Sequence, residues 1–328
     1  PELVFHKKNL FFFNKKGSII GFDNNSKIIW KTNNYSKREI KQKPVLNFSI
    51  NNDTLVVTDS LSKYYAVNIK TGEIIWSRVH KSNFISEIKI DDKKIYLIDS
   101  DNFLNCFSLI DGKKIWDFNS EKQLIKSQKR LSIVYDQEKI YFNNSKGDIY
   151  SLNKDNGNLI WITPTQELND TFQSFLLKTS DLVLDGEELY FSNNKNSFYS
   201  LDKDSGFINW EQSVSSHLRP IINRGLIFSV SSDGFLFVID KSSGNIIRIT
   251  DIFKNYKVKK RKKIRPTGFV VGYNRIYISV NNGKVIVLRI NDGIEEFSYN
   301  VSRGTISKPF INNNYMFVVK SDEIIKLN

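Results

Sequence analysis

The chain has 328 residues, 40% hydrophobic, 13% aromatic and 25% charged, which excludes a disordered polyelectrolyte and suits a folded protein with ample apolar surface to bury. Forty-eight Lys and Arg against 35 Asp and Glu give a formal charge of +13, so an anionic partner is worth seeking. A single cysteine, Cys106, excludes an internal disulfide, and no apolar run approaches the roughly 18 residues of a membrane-spanning helix.

In chain order, the first copy of a repeat ends at Trp30, four residues after Ser26 in "DNNSKIIW". The second reads "PVLNFSI", "TLVVTD", "YYAVNI" and "EIIWSR", with Gly72 four residues before Trp76. Gly112 precedes Trp116 by the same spacing. The fourth copy, "LSIVYD", "KIYFNN", "DIYSLN" and "NLIWIT", sets Gly157 before Trp161. Gly206 then precedes Trp210, Gly244 precedes Arg248 in "DKSSGNIIR", and Gly293 precedes Phe297 in "RINDGIEEF". All five tryptophans therefore share one phase of a repeat of 38–49 residues. The final segment, "TISKPFINNNYMFVVKSDEIIKLN", supplies three strands and stops at Leu327-Asn328.

Runs of β-branched and aromatic residues broken by Asn, Asp, Gly and Ser read as strands joined by tight turns. Nothing between them sustains helical periodicity. Four strands per 40–50 residues is the period of a propeller blade. The prediction is an all-β, eight-bladed β-propeller with four-stranded antiparallel blades, with seven blades as the alternative. It forms a single domain over 1–328. Its blades fall near 1–32, 43–78, 84–118, 130–163, 180–212, 218–250, 266–299 and 305–328. The last lacks its outer strand, which residues upstream of Pro1 would supply. Trp30, Trp76, Trp116, Trp161 and Trp210, with Arg248 and Phe297 in the same phase, are expected to dock each blade's outer strand against its neighbour. A large flat side chain buries on the order of 150–250 Å² there, and the glycine gives the preceding turn its backbone freedom.

No catalytic constellation emerges. His6, His80 and His217 stand alone, without metal-ligand spacing. His80 and His217 fall in loops after outer strands, where a solvated side chain is expected. Asp23, Asp202 and Asp240 recur with the repeat as turn caps. Seven basic residues and no acidic one occupy 257–265: Lys257, Lys259, Lys260, Arg261, Lys262, Lys263 and Arg265. They are placed on an interblade loop, either as a solvated surface or as a site for an anionic partner. Nucleic acid is not expected, because the aromatics that would interleave with such charge lie in strands.

"YYAVNIKTGEIIW", "DIYSLNKDNGNLIW" and "SFYSLDKDSGFINW" resemble the repeats of quinoprotein-type (PQQ-like) propellers, and the resemblance covers essentially the whole chain. Dehydrogenases of that type carry a carboxylate cluster for calcium, a tryptophan stacked on the quinone and often a vicinal disulfide. Here every tryptophan is assigned to docking and the cysteine is single, so no enzyme, no metal and no cofactor is predicted. Among non-catalytic members the chain most resembles the BamB family of propeller lipoproteins. That resemblance implies a scaffold in the periplasm, monomeric within a complex, docked on the POTRA domains of BamA. It also implies attachment to the outer membrane of a Gram-negative bacterium through a lipid anchor upstream of Pro1. It places the contact in two middle interblade loops: residues 120–130, with Leu124, Ile125, Lys126 and Arg130, and residues 165–172, with Glu167 and Asp170. Leu124 and Ile125 otherwise tuck over a blade edge. A propeller that senses a small ligand in its central channel is the alternative function; the innermost strands share no charged motif that would favour it.

Overall fold

The computed structural model describes residues 4–14, 16–120, 130–165, 177–312, 315–320 and 323–327. Its strands form eight sheets in chain order, each an antiparallel meander; seven have four strands and the last, Phe310–Asn312, Tyr315–Lys320 and Glu323–Leu327, has three among the described residues. The protein is an all-β, eight-bladed propeller. Two compact units divide the chain, Pro1–Thr171 with blades one to four and Phe172–Asn328 with blades five to eight.

Blade two shows the local logic. Leu46–Asn51, Thr54–Asp59, Lys63–Asn68 and Ile74–Val79 pair in succession. The two middle strands are buried on both faces, while the outer strand is exposed except at Trp76. A middle strand sandwiched between neighbouring blades must be apolar on both sides, which explains continuous runs such as "LVV" and "YYAV" where alternation would mark a half-exposed strand. Within each unit these apolar faces meet the next blade. One core cluster joins blades one and two (Phe11, Ile19, Trp30, Leu55, Val57) and another blades two and three (Val56, Tyr64, Trp76, Ile95, Leu97). A third joins blades three and four (Tyr96, Leu104, Ile140, Leu152). In the second unit the same holds between blades five and six, six and seven, and seven and eight.

One feature of the outer strands was not legible beforehand. In blades one to seven the register slips by one residue beside the docking position. Gly21 faces Trp30 but Phe22 faces Ile28, and Ala66 faces Trp76 but Val67 faces Ile74. The same slip sits at Cys106/Phe107, Ser151/Leu152, Ser200/Leu201, Val238/Ile239 and Val287/Leu288. A bulge sets two residues against one and breaks strict alternation. The consecutive pairs Ile28-Ile29 and Ile74-Ile75 both face solvent as a result, and the following tryptophan turns inward. Among the described residues helix is limited to two short pieces: α1 (Lys37–Lys41), capped reciprocally by Ser36 and Glu39, and α2 (Val258–Arg261). The basic run at 257–265, expected as loop, contains a helical turn.

Candidate functional site

The docking positions have the most fully defined geometry. The indole of Trp30 donates from Nε1 to the Ile69 carbonyl of blade two at 2.8 Å, Trp76 donates to Leu109 of blade three at 2.9 Å, and Trp210 donates to Lys241 of blade six at 3.2 Å. In each case the acceptor lies one residue after the side chain or carbonyl that opens the next blade's last turn. Under each indole sits that turn's glycine. A Cβ on Gly72 would lie 2.8 Å from Trp30, one on Gly112 2.6 Å from Trp76, one on Gly157 2.6 Å from Trp116 and one on Gly244 2.5 Å from Trp210. The glycines also have φ near +75°, so they are required twice over: for a left-handed turn and as the floor of the neighbour's indole. Glycine and tryptophan in one repeat are thus partners of tryptophan and glycine in the repeats on either side.

Arg248 takes the tryptophan's place in blade six and its guanidinium donates to the carbonyls of Ile290, at 2.8 Å, and Asn291. Phe297 packs toward Met316 and Val318 of blade eight. Among the described residues the Trp116 indole N–H has no hydrogen-bond partner; the carbonyl in the corresponding place, Lys154, accepts from the Tyr96 hydroxyl at 3.2 Å. Trp161 stacks obliquely near Tyr141, 5.9 Å between ring centres.

The remaining candidates resolve into supports. Asp23, Asp202 and Asp240 each accept backbone N–H groups two to four residues on. The hydroxyl and N–H donors of Ser242 and Ser243 hold the Asp240 carboxyl down to about 2. His80, expected in solvent, is instead nearly buried: its Nε2 lies 2.9 Å from the fully buried Asp99 carboxylate and its ring stacks on Phe84. His217 is hydrogen-bonded to the Ser232 hydroxyl, and burial lowers its pKa. Both corrections have one cause: the loop after an outer strand dives toward the next blade, so its side chains meet that blade. His6 lies in the first strand, partly buried. Burial pushes the Cys106 thiol up to about 12, which makes it a protonated, unreactive group. Among the described residues no three His, Cys, Asp or Glu side chains are placed to hold a metal.

Of the predicted partner loops, Leu124, Ile125, Lys126, Glu167 and Asp170 lie outside the described residues, and Arg130 is exposed where the chain re-enters blade four. The departure points are defined. Ser120 accepts at its carbonyl from the Tyr150 hydroxyl at 2.9 Å, and Thr165 donates from Oγ1 to the Gly147 carbonyl at 2.9 Å. Both loops therefore leave from positions tied to one turn of blade four, residues 147–150, a relation that no local pattern signals.

The basic segment is held by Ile252, Phe253 and Ile264, all buried in the core between blades six and seven. Arg261 pairs with Asp251 at 2.8 Å, and Arg265 donates to the carbonyls of Arg261 and Ile264. Lys257, Lys259, Lys260, Lys262 and Lys263 are exposed, and among the described residues none has a carboxylate within ion-pair distance.

Four-stranded antiparallel blades, docked through a repeated outer-strand aromatic over the next blade's glycine, define a propeller of the PQQ-like repeat type. The sequence profile of the family described as outer membrane protein assembly factor BamB matches residues 15–250, and the chain belongs to that family. No curated protein matches it in sequence. Among solved structures it is similar to BamB from Moraxella catarrhalis, at 14% identity over 99% of this chain and 95% of that one, with a TM-score of 0.81. It is similar also to Saccharomyces cerevisiae Sqt1, at 10% identity over 98% and 93%, TM-score 0.76. A quinohemoprotein alcohol dehydrogenase from Pseudomonas putida HK5 matches at 12% identity over 96% of this chain and 68% of that one, TM-score 0.68. At such identities these likenesses show the fold alone.

Proposed function

We propose that this protein is a non-catalytic periplasmic scaffold of the machinery that assembles β-barrels into the outer membrane. It docks through the loops at 120–130 and 165–172 onto the POTRA domains of BamA, and a lipid anchor upstream of Pro1 attaches it to the membrane. The family match over residues 15–250 carries this reading. The build of the molecule supports it. The polar groups that recur with the repeat are spent on turns and blade contacts, and the one thiol is buried and held protonated. Rigid blades carrying loops from tied feet are suited to presenting a surface, since a fixed scaffold limits what binding must order.

The test is a titration of the chain against the POTRA domains of the same organism, with the double variant Leu124→Asp, Ile125→Asp. A small apolar anchor ringed by charge carries most of the energy of such contacts. The double variant should lose at least about 2 kcal/mol of binding, the scale of a hot spot, while its melting temperature holds. Unchanged affinity removes these loops from the contact; no binding by the unaltered chain removes BamA as the partner.

A further inference from the structure

The segment 257–265 is a held surface whose five lysines have no carboxylate partner among the described residues. Its chain is nailed down on either side by Ile252, Phe253 and Ile264. The side chain of Asn281 fixes its far end, accepting from the Arg265 N–H at 2.9 Å and donating to the Lys263 carbonyl at 3.1 Å. The adjoining turn adds charge: Thr305 donates to the Asn281 carbonyl, and exposed Arg303 lies two residues before it. Two carboxylates reach the fringe. Asp251 is taken by Arg261, and Glu295 acts on the Tyr256 hydroxyl. No buried side chain lies in α2, and Val258, in its first turn, is 71% exposed among the lysines.

The kind of cation decides the kind of partner. Of the segment's two arginines, whose planar forks would recognise a carboxylate or phosphate with direction, Arg261 is spent on Asp251, and Arg265, though exposed, directs Nη1 at the backbone carbonyls of Arg261 and Ile264. The exposed charge is then carried mostly by five lysines, compact charges on flexible stems, around one apolar tip. An acidic protein face recognised in detail would call for the forks. Single-stranded nucleic acid would call for an aromatic face on which bases stack. The segment's tyrosine, Tyr256, is already covered by the ammonium groups of Lys260 at 5.0 Å and Lys284 at 5.9 Å. Clustered lysines beside an exposed apolar residue suit a diffuse sheet of negative charge with an apolar interior beneath.

We propose that the surface at 257–265 binds the phosphodiester headgroups of an anionic phospholipid bilayer, with Val258 directed at the headgroup boundary. This surface lies wholly in the second unit and does not require the loop contacts proposed above. The experiment is flotation of the whole chain with vesicles rich in phosphatidylglycerol and with pure phosphatidylcholine vesicles, at low and at raised salt. The quadruple variant Lys257→Gln, Lys259→Gln, Lys260→Gln, Lys262→Gln is compared with a control of equal charge loss on another exposed basic cluster, Lys37→Gln, Arg38→Gln, Lys41→Gln, Lys43→Gln. Val258→Asn is run beside them with charge unaltered, and thermal melts check that all remain folded.

Each cation at an anionic surface is worth roughly five-fold in partitioning. The quadruple variant should therefore fall by several hundred-fold, to the phosphatidylcholine background. The control should keep most of its binding, Val258→Asn should bind several-fold less, and salt should weaken all binding. Equal losses in the two quadruple variants would show an effect of net charge alone and overturn the proposal. So would absence of binding to anionic vesicles, or tighter binding of the same surface to a single-stranded oligonucleotide than to vesicles.

Discussion

Replacing Gly112 by alanine puts the docking geometry under direct stress. At φ +72° the new side chain sits in the left-handed region, which costs about 1–2 kcal/mol for an L-residue. Its Cβ also falls 2.6 Å from Cζ3 and 2.7 Å from Cε3 of Trp76, far inside the ~3.5–4.0 Å at which carbon atoms rest. The indole must withdraw. It then loses the hydrogen bond to the Leu109 carbonyl, worth about 1 kcal/mol, and exposes part of a surface of roughly 150–250 Å². Uncovering a third of that area costs a further 1–2 kcal/mol at about 25 cal/mol per Å². The total is about 4 kcal/mol. Gly186 supplies the control: φ is +66° and nothing lies within 4 Å of its Cβ, so alanine there costs only the backbone strain. Urea unfolding followed by circular dichroism measures both, and a Trp76→Ala background separates the terms. There Gly112→Ala should cost no more than Gly186→Ala. If the two alanine variants differ by less than about 0.5 kcal/mol in the native background, the glycine is not the floor of the indole and the docking account is wrong.

Arg248→Met should cost about 2–3 kcal/mol by removing charge-assisted donors from the Ile290 and Asn291 carbonyls, and Arg248→Lys should recover little, since one ammonium does not reproduce the fork; urea unfolding checks both. Because burial lowers the His217 pKa from its ordinary 6.5, the unfolded ring takes up protons first as pH falls. Its contribution is complete above about pH 6.5 and is lost as pH drops from there through the folded value. His217→Gln should flatten that acid limb of stability measured against pH. Cys106 should resist an aromatic disulfide reagent in the native state at neutral pH and react fully once the chain is unfolded in urea, since burial holds its thiol near 12.

The architecture was legible because the repeat carries its own registration. Glycine and tryptophan four residues apart mark the same place in every copy, and aligning on Gly244 and Gly293 exposes Arg248 and Phe297 as occupants of the tryptophan's phase. The strands were legible from β-branched runs whose length matches blades buried on both faces. What the sequence did not show is relational. Nothing in "KTGEIIW" says that its glycine underlies the previous copy's tryptophan while its own tryptophan covers the next glycine. The bulge that exposes Ile74 and Ile75 together breaks the alternation on which strand faces are read. His80 looked like a loop residue because Asp99 and Phe84, which enclose it, lie in the following blade. The candidate contact loops were least legible: they share no motif, and the joint attachment of Ser120 and Thr165 to residues 147–150 depends on a hydroxyl and a turn in a third segment.

Photocrosslinking from the loop positions in the living cell addresses the scaffold reading most directly. A photoreactive amino acid introduced in place of Leu124 or of Glu167 should give a crosslinked product with BamA, mapped to its POTRA domains. The same residue in place of Lys37, on the connection between blades one and two, should give none. Crosslinks to BamA from Lys37 and not from the two loops would contradict the proposed contact, and no crosslink to BamA from any of the three positions in a folded, correctly localised protein would contradict the scaffold role itself.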